Sequence, residues 1–169
     1  MKNAACSRRL DRRRRAHQRA GFTAVEIAVT CALVVILAGI SIPAYLKMRT
    51  DAQITEAKAQ LEIIAAAVKQ LAWDTGKWPG GIRREVQGNP EVWDLTVAQA
   101  GLLKNDPARF PNWQGAYIDE IPRDPWGSRY FFDPDYTIKG KMRPVVGSFG
   151  PNRSGPNRYD YDNVYIVLD

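Results

Sequence analysis

An apolar stretch near the N-terminus constrains this chain more than any other feature. The segment GFTAVEIAVTCALVVILAGISIP runs from Gly21 to Pro43, and Glu26 is its only charged residue. The 19 residues from Ala24 to Ile42 would form a helix nearly as long as a hydrocarbon core of about 30 Å. A carboxylate costs on the order of 2.5 to 3.5 kcal/mol at the bilayer centre and less near the interface. The stretch therefore predicts a membrane anchor in which Glu26 either stays hydrated at shallow depth or meets a partner.

The basic character of the chain is confined to residues 1–21. They hold eight of the 24 Lys/Arg and one of the 18 Asp/Glu, which leaves 16 basic and 17 acidic residues, a net charge of −1, in the remainder. A near-neutral remainder lacks the electrostatic footprint of a phosphate-binding domain, so we expect no nucleic-acid partner. A basic tract beside a hydrophobic span is typical of a single-pass anchor with a cytoplasmic N-terminus.

Two export signals are disfavoured alternatives for this head. Ser7-Arg8-Arg9-Leu10 partly matches a twin-arginine signal, but Asp11 and further arginines follow. An ordinary secretory signal would have a shorter apolar core and a small-residue cleavage site.

Residue types that support catalysis are scarce. His17 is the only histidine, and Cys6 and Cys31 are the only cysteines. Histidine-based triads and ordinary zinc sites are therefore excluded from the part of the chain beyond the head. We expect a protein that is not an enzyme.

A long helix is predicted from about Phe22 to Thr75. After Pro43, apolar residues recur every three or four positions, which indicates one buried stripe on a helix. The stripe comprises Ile54, Ala57, Leu61, Ile64, Val68 and Leu71. Pro43 should kink or loosen the helix, and Gly76 with Pro79 should end it.

The remainder predicts a small sheet after a second helix. That helix is expected at about Glu91–Lys104, after Asn89-Pro90, and a loop at 105–116. Runs of aromatic and β-branched residues predict three strands. They are Arg129–Phe132, Arg143–Phe149 and Tyr159–Leu168. In the last run, a period of two places Asp160 and Asp162 on one face. The predicted fold class is α+β, a long N-terminal helix spine packed on a small antiparallel sheet.

The sequence GFTAVE, followed by an apolar helix with Pro43 at its end, resembles the N-terminus of type IV prepilins and pseudopilins. The resemblance implies the type IV pilin-like fold, and it implies that a membrane prepilin peptidase cuts after Gly21 and methylates Phe22. It also implies assembly through the helix, with the new ammonium of Phe22 paired to Glu26 of a neighbouring subunit. Glu26 would then be unpaired in an isolated subunit. The implied segments are a leader at 1–21, a transmembrane and filament-core helix at 22–45 and a periplasmic globular domain at 46–169.

A second motif is IPRDPWG, which ends at Gly127. Asp124-Pro125 followed by Trp126-Gly127 is a rigid turn by its own chemistry, because proline fixes one φ and glycine supplies a positive one. Trp126 is most simply a core side chain beneath the helix. The motif resembles the LPxDPWG turn of the major, G-type pseudopilin of type II secretion.

A third motif, GSFGPNRSGPNRYDYDNV, spans Gly147 to Val164 and resembles the loop that binds calcium in G-type pseudopilins. The family has aspartate after Gly-Pro where this chain has Asn152, and the loop is about two residues longer. The implied calcium ligands are Ser148, Asn152, Asp160 and Asp162. Ca²⁺ takes six to eight oxygens, and the lost charge suggests a dissociation constant of about 10⁻⁴ to 10⁻³ M. The alternative is that the two aspartates are solvated or pair with Arg153 and Arg158.

These resemblances predict a structural subunit of a type II secretion pseudopilus. Its expected partners are copies of itself, prepilin peptidase, an ATPase-driven inner-membrane platform, minor pseudopilins and membrane lipid. The expected location is the bacterial inner membrane, with the C-terminal domain in the periplasm. One alternative is a pilin of a type IV pilus for adhesion, motility or DNA uptake, against which the DPWG turn and the lack of a C-terminal cysteine pair argue. Another is a single-pass membrane-anchored binding domain that never polymerises.

Overall fold

The computed structural model describes residues 21–86, 88 and 90–168. The basic head, with Cys6, the Ser7–Leu10 motif and His17, lies outside the described residues, as does Asn89. The elements in chain order are helix α1 (Ala24–Thr75), two short 3₁₀ helices (Pro79–Gly81 and Ala98–Ala100), and strands β1 (Phe131–Ile138), β2 (Lys141–Ser148) and β3 (Val164–Val167). The predicted long helix and the α+β class are confirmed.

The chain divides into two compact units, Met1–Pro43 and Ala44–Asp169. In the described part of the first unit, α1 carries an apolar stretch that is long enough to cross a membrane by length and composition, and none of that stretch is buried. Its large apolar side chains are exposed; Val35 and Ile40, for example, are each 70% exposed. An apolar helix surface of this extent requires a lipid or protein partner.

In the second unit, α1 buries one stripe against the rest of the domain. Ala57, Leu61, Val68 and Leu71 are fully buried, Ile64 is 1% exposed and Ile54 is partly buried, so the predicted stripe is confirmed. Burial of each large side chain stabilises the fold by about 1.5 to 3 kcal/mol. The helix ends as expected: the N–H of Gly76 donates to the carbonyl of Ala72 over 3.0 Å, and Gly76 has a φ of 69°.

The three strands form an antiparallel sheet in the order β1-β2-β3. Lys139 and Gly140, with φ of 50° and 77°, make the two-residue turn between β1 and β2, a conformation that matches the twist of the flanking strands. The three predicted strands are present with different bounds: β1 continues through Asp133-Pro134 by way of a bulge, and β3 is only four residues long.

The second predicted helix is wrong. Instead of Glu91–Lys104, only Ala98–Ala100 is helical, as a single 3₁₀ turn. Val92 pairs with Phe132 of β1 through N–H···O bonds of 2.9 and 2.8 Å, and the N–H of Leu95 donates to the carbonyl of Tyr130 over 3.1 Å. Because β1 and the residue before it supply these backbone partners, the segment forms an isolated bridge followed by turns and still buries Val92 and Leu95.

Candidate functional site

The first candidate region is the start of α1. Gly21 and Phe22 precede the helix and are exposed, Phe22 by 82%. Oε2 of Glu26 accepts hydrogen bonds from the N–H and the hydroxyl of Thr23, over 2.8 and 2.9 Å, and the Thr23 hydroxyl oxygen accepts one from the N–H of Glu26 over 3.2 Å. This reciprocal pair is a capping box.

The capping box gives Glu26 local hydrogen bonds, but its charge has no cationic partner among the described residues. One carboxylate oxygen is satisfied by Thr23 of the same chain, whereas Oε1 accepts no hydrogen bond from the described residues. The T-x-x-E spacing in the sequence was sufficient to predict this. Glu26 therefore has a local structural role and still one oxygen free for a cation.

Pro43 lies inside α1, which continues to Thr75, and the boundary between the two compact units follows it directly. Pro43 is exposed, like almost all of the described helix before it. A proline at this point removes one backbone hydrogen bond from the helix.

The DPWG turn is organised by the buried carboxylate of Asp124, which is 4% exposed. Its Oδ1 accepts the N–H groups of Trp126 and Ser128, over 3.1 and 2.7 Å. Its Oδ2 accepts the hydroxyl of Ser148 over 2.5 Å. Gly127 has the positive φ, at 91°. The turn is thus bonded both to itself and to the end of β2.

Trp126 and Pro125 connect the same turn to the helix. Trp126 is 8% exposed and belongs to the core cluster that contains the α1 stripe. The side-chain amide of Gln53 on α1 donates to the carbonyl of Pro125 over 3.4 Å. These contacts give the turn a structural role.

The loop between β2 and β3 carries the residues proposed to bind calcium. Ser148 is fully buried, and its hydroxyl donates to Asp124 and accepts the N–H of Gly150 over 3.0 Å. This hydroxyl is therefore engaged within the fold. The side chain of Ser148 does not join the other three predicted ligands.

The side chains of Asn152 and Asp160 meet, and Asp162 joins them through its backbone N–H. Nδ2 of Asn152 donates to Oδ2 of Asp160 over 2.8 Å, and the N–H of Asp162 donates to Oδ1 of Asp160 over 3.1 Å. The two aspartates lie in a turn before β3, which begins at Val164, so their placement on one strand face is wrong. Within the described residues, neither aspartate forms a salt bridge with Arg153 or Arg158.

Asn163 is a residue of this loop that the sequence did not single out. Its Nδ2 donates to the hydroxyl of Tyr136 and to the carbonyl of Arg158, over 3.1 and 2.9 Å. Its Oδ1 is buried and has no hydrogen-bond partner among the described residues. A buried amide oxygen without a donor is unusual in a native fold and is a candidate ligand for a cation or a water. Its position after the aspartates was the only signal.

Among the described residues, no three His, Cys, Asp or Glu side chains form a group that could hold a metal ion by themselves. Any cation in the β2–β3 loop would therefore depend on amide and backbone oxygens in addition to Asp160 and Asp162. Ca²⁺ accepts such mixed oxygen ligands, whereas transition metals prefer imidazole and thiolate.

Comparison with known proteins decides the family. Residues 44–155 match the protein-family model described as type II secretion system (T2SS), protein G. This chain belongs to that family. The type II secretion system core protein G of Pseudomonas aeruginosa is 26% identical over 157 residues, which cover 86% of this chain and 95% of that protein. Type II secretion G proteins are structural subunits, in agreement with the expectation of a protein that is not an enzyme.

Two further similarities are more limited. The crystal structure of the major pseudopilin from the type 2 secretion system of enterohaemorrhagic Escherichia coli superposes with a TM-score of 0.50 at 16% identity, over 71% of this chain and 87% of that one, and shows the fold. The fimbrial protein of Neisseria meningitidis is 38% identical over 60 residues, only 36% of this chain and 35% of that protein. The similarity to pilins is therefore partial, whereas that to type II secretion G proteins spans most of the chain.

Proposed function

We propose that this chain is the major pseudopilin subunit of a type II secretion pseudopilus, held in the inner membrane by the first part of α1 until it enters a periplasmic filament. The observation that carries the proposal is the family match over residues 44–155, directly after an apolar helix with no buried stretch. A type IV pilus subunit is less well supported, because the pilin matches cover about a third of the chain.

Processing and assembly would use the start of α1. A prepilin peptidase would cut between Gly21 and Phe22 and methylate Phe22, which creates an amine of ordinary pKa about 7.7 to 8 that is largely cationic at the membrane surface. Oε1 of Glu26 would accept this cation from the neighbouring subunit, while Oε2 remains on Thr23. Methylation keeps the positive charge, so the pair would survive it.

The remaining partners follow from the same proposal. The N-terminus would face the cytoplasm and the second unit, Ala44–Asp169, the periplasm. An inner-membrane platform with an ATPase would extract the processed subunit from lipid, minor pseudopilins would share the filament, and its growth would move exported proteins outward. Within the filament, the apolar part of α1 would exchange lipid contacts for contacts with other copies.

The decisive experiment is to produce the full-length chain in cells that contain the type II secretion components and to examine its N-terminus by mass spectrometry. We expect a mature chain that begins at N-methylated Phe22 and pelletable filaments visible by electron microscopy. A chain that keeps Met1 in the presence of active prepilin peptidase would refute the proposal and leave the non-polymerising anchored domain.

Glu26→Gln separates charge from capping. Glutamine can still accept from Thr23 in the capping box, but it no longer pairs with an ammonium. Loss of a hydrogen bond to a charged group, worth about 1.5 to 3 kcal/mol, should lower the yield of filaments roughly tenfold or more. Processing at Gly21 should continue.

Thr23→Val is the matched control, because it removes the cap and keeps the carboxylate. We expect processed subunits that assemble within about fivefold of the unchanged chain, since a lost cap costs about 1 kcal/mol. Equal filament yields from Glu26→Gln and the unchanged chain would contradict the pairing.

We also propose a calcium site in the β2–β3 loop. Asp160, Asp162 and the free Oδ1 of Asn163 are oxygen donors within a few residues of each other, and Asn152 could contribute after rotation of its amide, whose Nδ2 now donates to Asp160. These ligand types suit Ca²⁺, although one carboxylate fewer than in the family pattern implies weak binding. The bound ion would supply positive charge between the aspartates and fix the loop against Gly150.

Calcium should raise the thermal midpoint of the Ala44–Asp169 unit. With a dissociation constant of about 10⁻⁴ M, 1 mM calcium adds about 1.4 kcal/mol, a shift of several degrees measurable by circular dichroism. Asp160→Ala should abolish the shift, and Asn152→Asp should enlarge it at the same calcium concentration. Magnesium at equal concentration is the control for ionic strength. No shift at millimolar calcium would rule the site out.

A further inference from the structure

Two exposed surfaces of opposite charge lie on the Ala44–Asp169 unit. The first, here the tryptophan surface, consists of the exposed side chains of Trp73, Lys69 and Arg84 above the buried Ala72 and Trp78. The indole of Trp73 is 79% exposed, and Lys69 precedes it by one helical turn on the same side of α1. The guanidinium of Arg84 lies 5.5 Å from the centre of the Trp78 ring, which fixes a second cation at this surface. Asp74 beside it already accepts a hydrogen bond from Gln70.

The second surface, here the isoleucine groove, lies nearer the N-terminus of α1, between the helix and residues 118–122. Its apolar lining includes Ile63, Ile118 and Pro122, and the exposed Asp119 and Glu120 also line it. Ile63 is 62% exposed although it lies beside the fully packed Ile64. The groove encloses about 320 Å³, which is sufficient for one large aromatic side chain. Within the described residues, Asp119 and Glu120 form no salt bridge.

The two surfaces complement each other in both chemistry and shape. One presents an exposed indole near two cations, and the other presents an apolar recess with two carboxylates in its lining. Exposed apolar surface with a charged rim is typical of a protein interface, and opposite charges at the rim favour one partner and one register. Since both surfaces occur on every copy, a second copy of this chain is the partner that carries the matching chemistry.

We propose that the tryptophan surface of one subunit docks into the isoleucine groove of the next, with Trp73 in the recess and Lys69 and Arg84 near Asp119 and Glu120. This inference rests on the proposed function, because it assigns a contact between neighbouring subunits of the filament. It adds a periplasmic contact to the one made by the apolar part of α1.

The positions of the surfaces on α1 determine the type of assembly. Ile63 and Trp73 are ten residues apart, which corresponds to about 15 Å along a helix and about 80° around it. Two different patches separated in this way form a head-to-tail contact that repeats with a rise and a rotation, and such a contact generates an open helical filament. Neighbouring copies would therefore be offset by about 15 Å, or nearly three helical turns, along the helix.

A disulfide ladder tests this contact in the full-length chain. Cys6 and Cys31 are first replaced by alanine, and Ile63→Cys and Trp73→Cys are then introduced together. Within one chain these positions are about 15 Å apart on a helix, beyond the roughly 7 Å limit for Cα atoms of a disulfide. Every disulfide between them must therefore join two copies. In cells with the type II secretion components, mild oxidation should give dimers, trimers and longer species on non-reducing gels.

Single-cysteine variants and a displaced pair are the controls. Ile63→Cys or Trp73→Cys alone should give no ladder. Trp73→Cys with Met142→Cys should give none either, because Met142 is 54% exposed on β2, outside the groove. Dimers from either single variant at the level of the double variant would indicate a like-with-like contact and would overturn the proposal. A ladder of equal yield from the displaced pair would overturn it as well.

Charge reversal provides a second, independent measurement. Lys69→Glu should reduce the ladder at least fivefold, and the added change Glu120→Lys should restore it. Absence of the ladder while electron microscopy shows normal filaments would refute this interface and leave the proposed function standing. Absence of filaments from the cysteine-free parent would instead refute the proposed function, and the interface with it.

Discussion

Gly150 shows at the residue scale why the loop after β2 has its sequence. A Cβ built on Gly150 would lie 1.9 Å from the carbonyl oxygen of Asp162, and φ is 71°. Two constraints thus coincide: the backbone adopts a left-handed conformation, and a neighbouring backbone segment fills the space of a side chain. The Gly-Pro pair in the sequence suggested a turn, but the close approach of Asp162 was beyond prediction because it involves residues twelve positions apart.

Gly150→Ala should destabilise the Ala44–Asp169 unit by more than about 2 kcal/mol, because left-handed strain of about 1 kcal/mol adds to the displacement of Asp162. Gly140→Ala is the matched control: its φ is 77°, and its Cβ would meet nothing within 4 Å. We expect Gly140→Ala to be destabilised only by the left-handed strain of about 1 kcal/mol. Urea denaturation of both variants distinguishes the two contributions, and equal losses would contradict the role of the close approach.

Single residues also mark the limit of prediction from sequence at the candidate site. The capping box of Thr23 and Glu26 could be predicted from spacing alone, since its members are three positions apart. The hydrogen bond from Ser148 to Asp124 spans 24 positions and removes the Ser148 hydroxyl from the predicted calcium ligands. Only the folded chain reveals that the DPWG turn and the β2–β3 loop are joined by this hydrogen bond.

At the scale of elements, the DPWG turn connects α1 to the end of β2. Asp124 accepts three hydrogen bonds there while almost fully buried. Removal of a buried charged acceptor is costly, because each buried donor left without a partner still pays the free energy of its desolvation.

Asp124→Ala should therefore lower the free energy of unfolding by about 2 to 4 kcal/mol, since three donors lose their acceptor, among them the buried Ser148 hydroxyl. Asp124→Asn should lose less, because its amide oxygen can retain part of the set. Asp119→Ala, an exposed aspartate, is expected to stay within about 0.5 kcal/mol. Denaturation curves measured at pH 7 check all three variants. If Asp124→Ala lost less free energy of unfolding than Asp119→Ala, the connector role would be contradicted.

Elements differ in how far the sequence determines them. The α1 stripe was predictable because a 3.6-residue period over many turns leaves few alternatives. The segment Glu91–Lys104 has apolar residues at helical spacing, yet its backbone pairs with Tyr130 and Phe132 of another part of the chain. The strand β1 crosses Asp133-Pro134, a pair that normally ends a strand, because the bulge there removes the need for one ladder hydrogen bond.

At the scale of the whole molecule, Asp133 connects the sheet to the long loop that precedes β3. It is fully buried; its Oδ1 accepts the N–H of Asp135 over 2.9 Å and its Oδ2 accepts the hydroxyl of Tyr159 over 3.0 Å. Burial raises the pKa of Asp133 from 3.8 to about 6, despite the hydrogen bonds that favour the charged form. The negative charge of Asp135 also raises the pKa of Asp133.

The sign of the pH dependence follows from that pKa. The folded state binds the proton more tightly than the unfolded chain, so Asp133 stabilises the fold most below about pH 4 and this contribution is lost as the pH rises to about 6. Relative to Asp133→Asn, the Ala44–Asp169 unit should lose roughly 1 to 3 kcal/mol between pH 4 and pH 7. Urea denaturation at four pH values measures the difference. Parallel curves for the two proteins would contradict it.

The beginning of α1 has a consequence for the maturation of the whole subunit. The first backbone hydrogen bond of the described helix runs from the N–H of Ile27 to the carbonyl of Thr23 over 3.2 Å. The peptide bond between Gly21 and Phe22 therefore precedes the first turn of α1, where an enzyme could bind the backbone without unwinding α1. Cleavage at this bond, as proposed above, would leave each hydrogen bond of the described helix in place. It would change the charge and bulk before the helix without disturbing the helix itself.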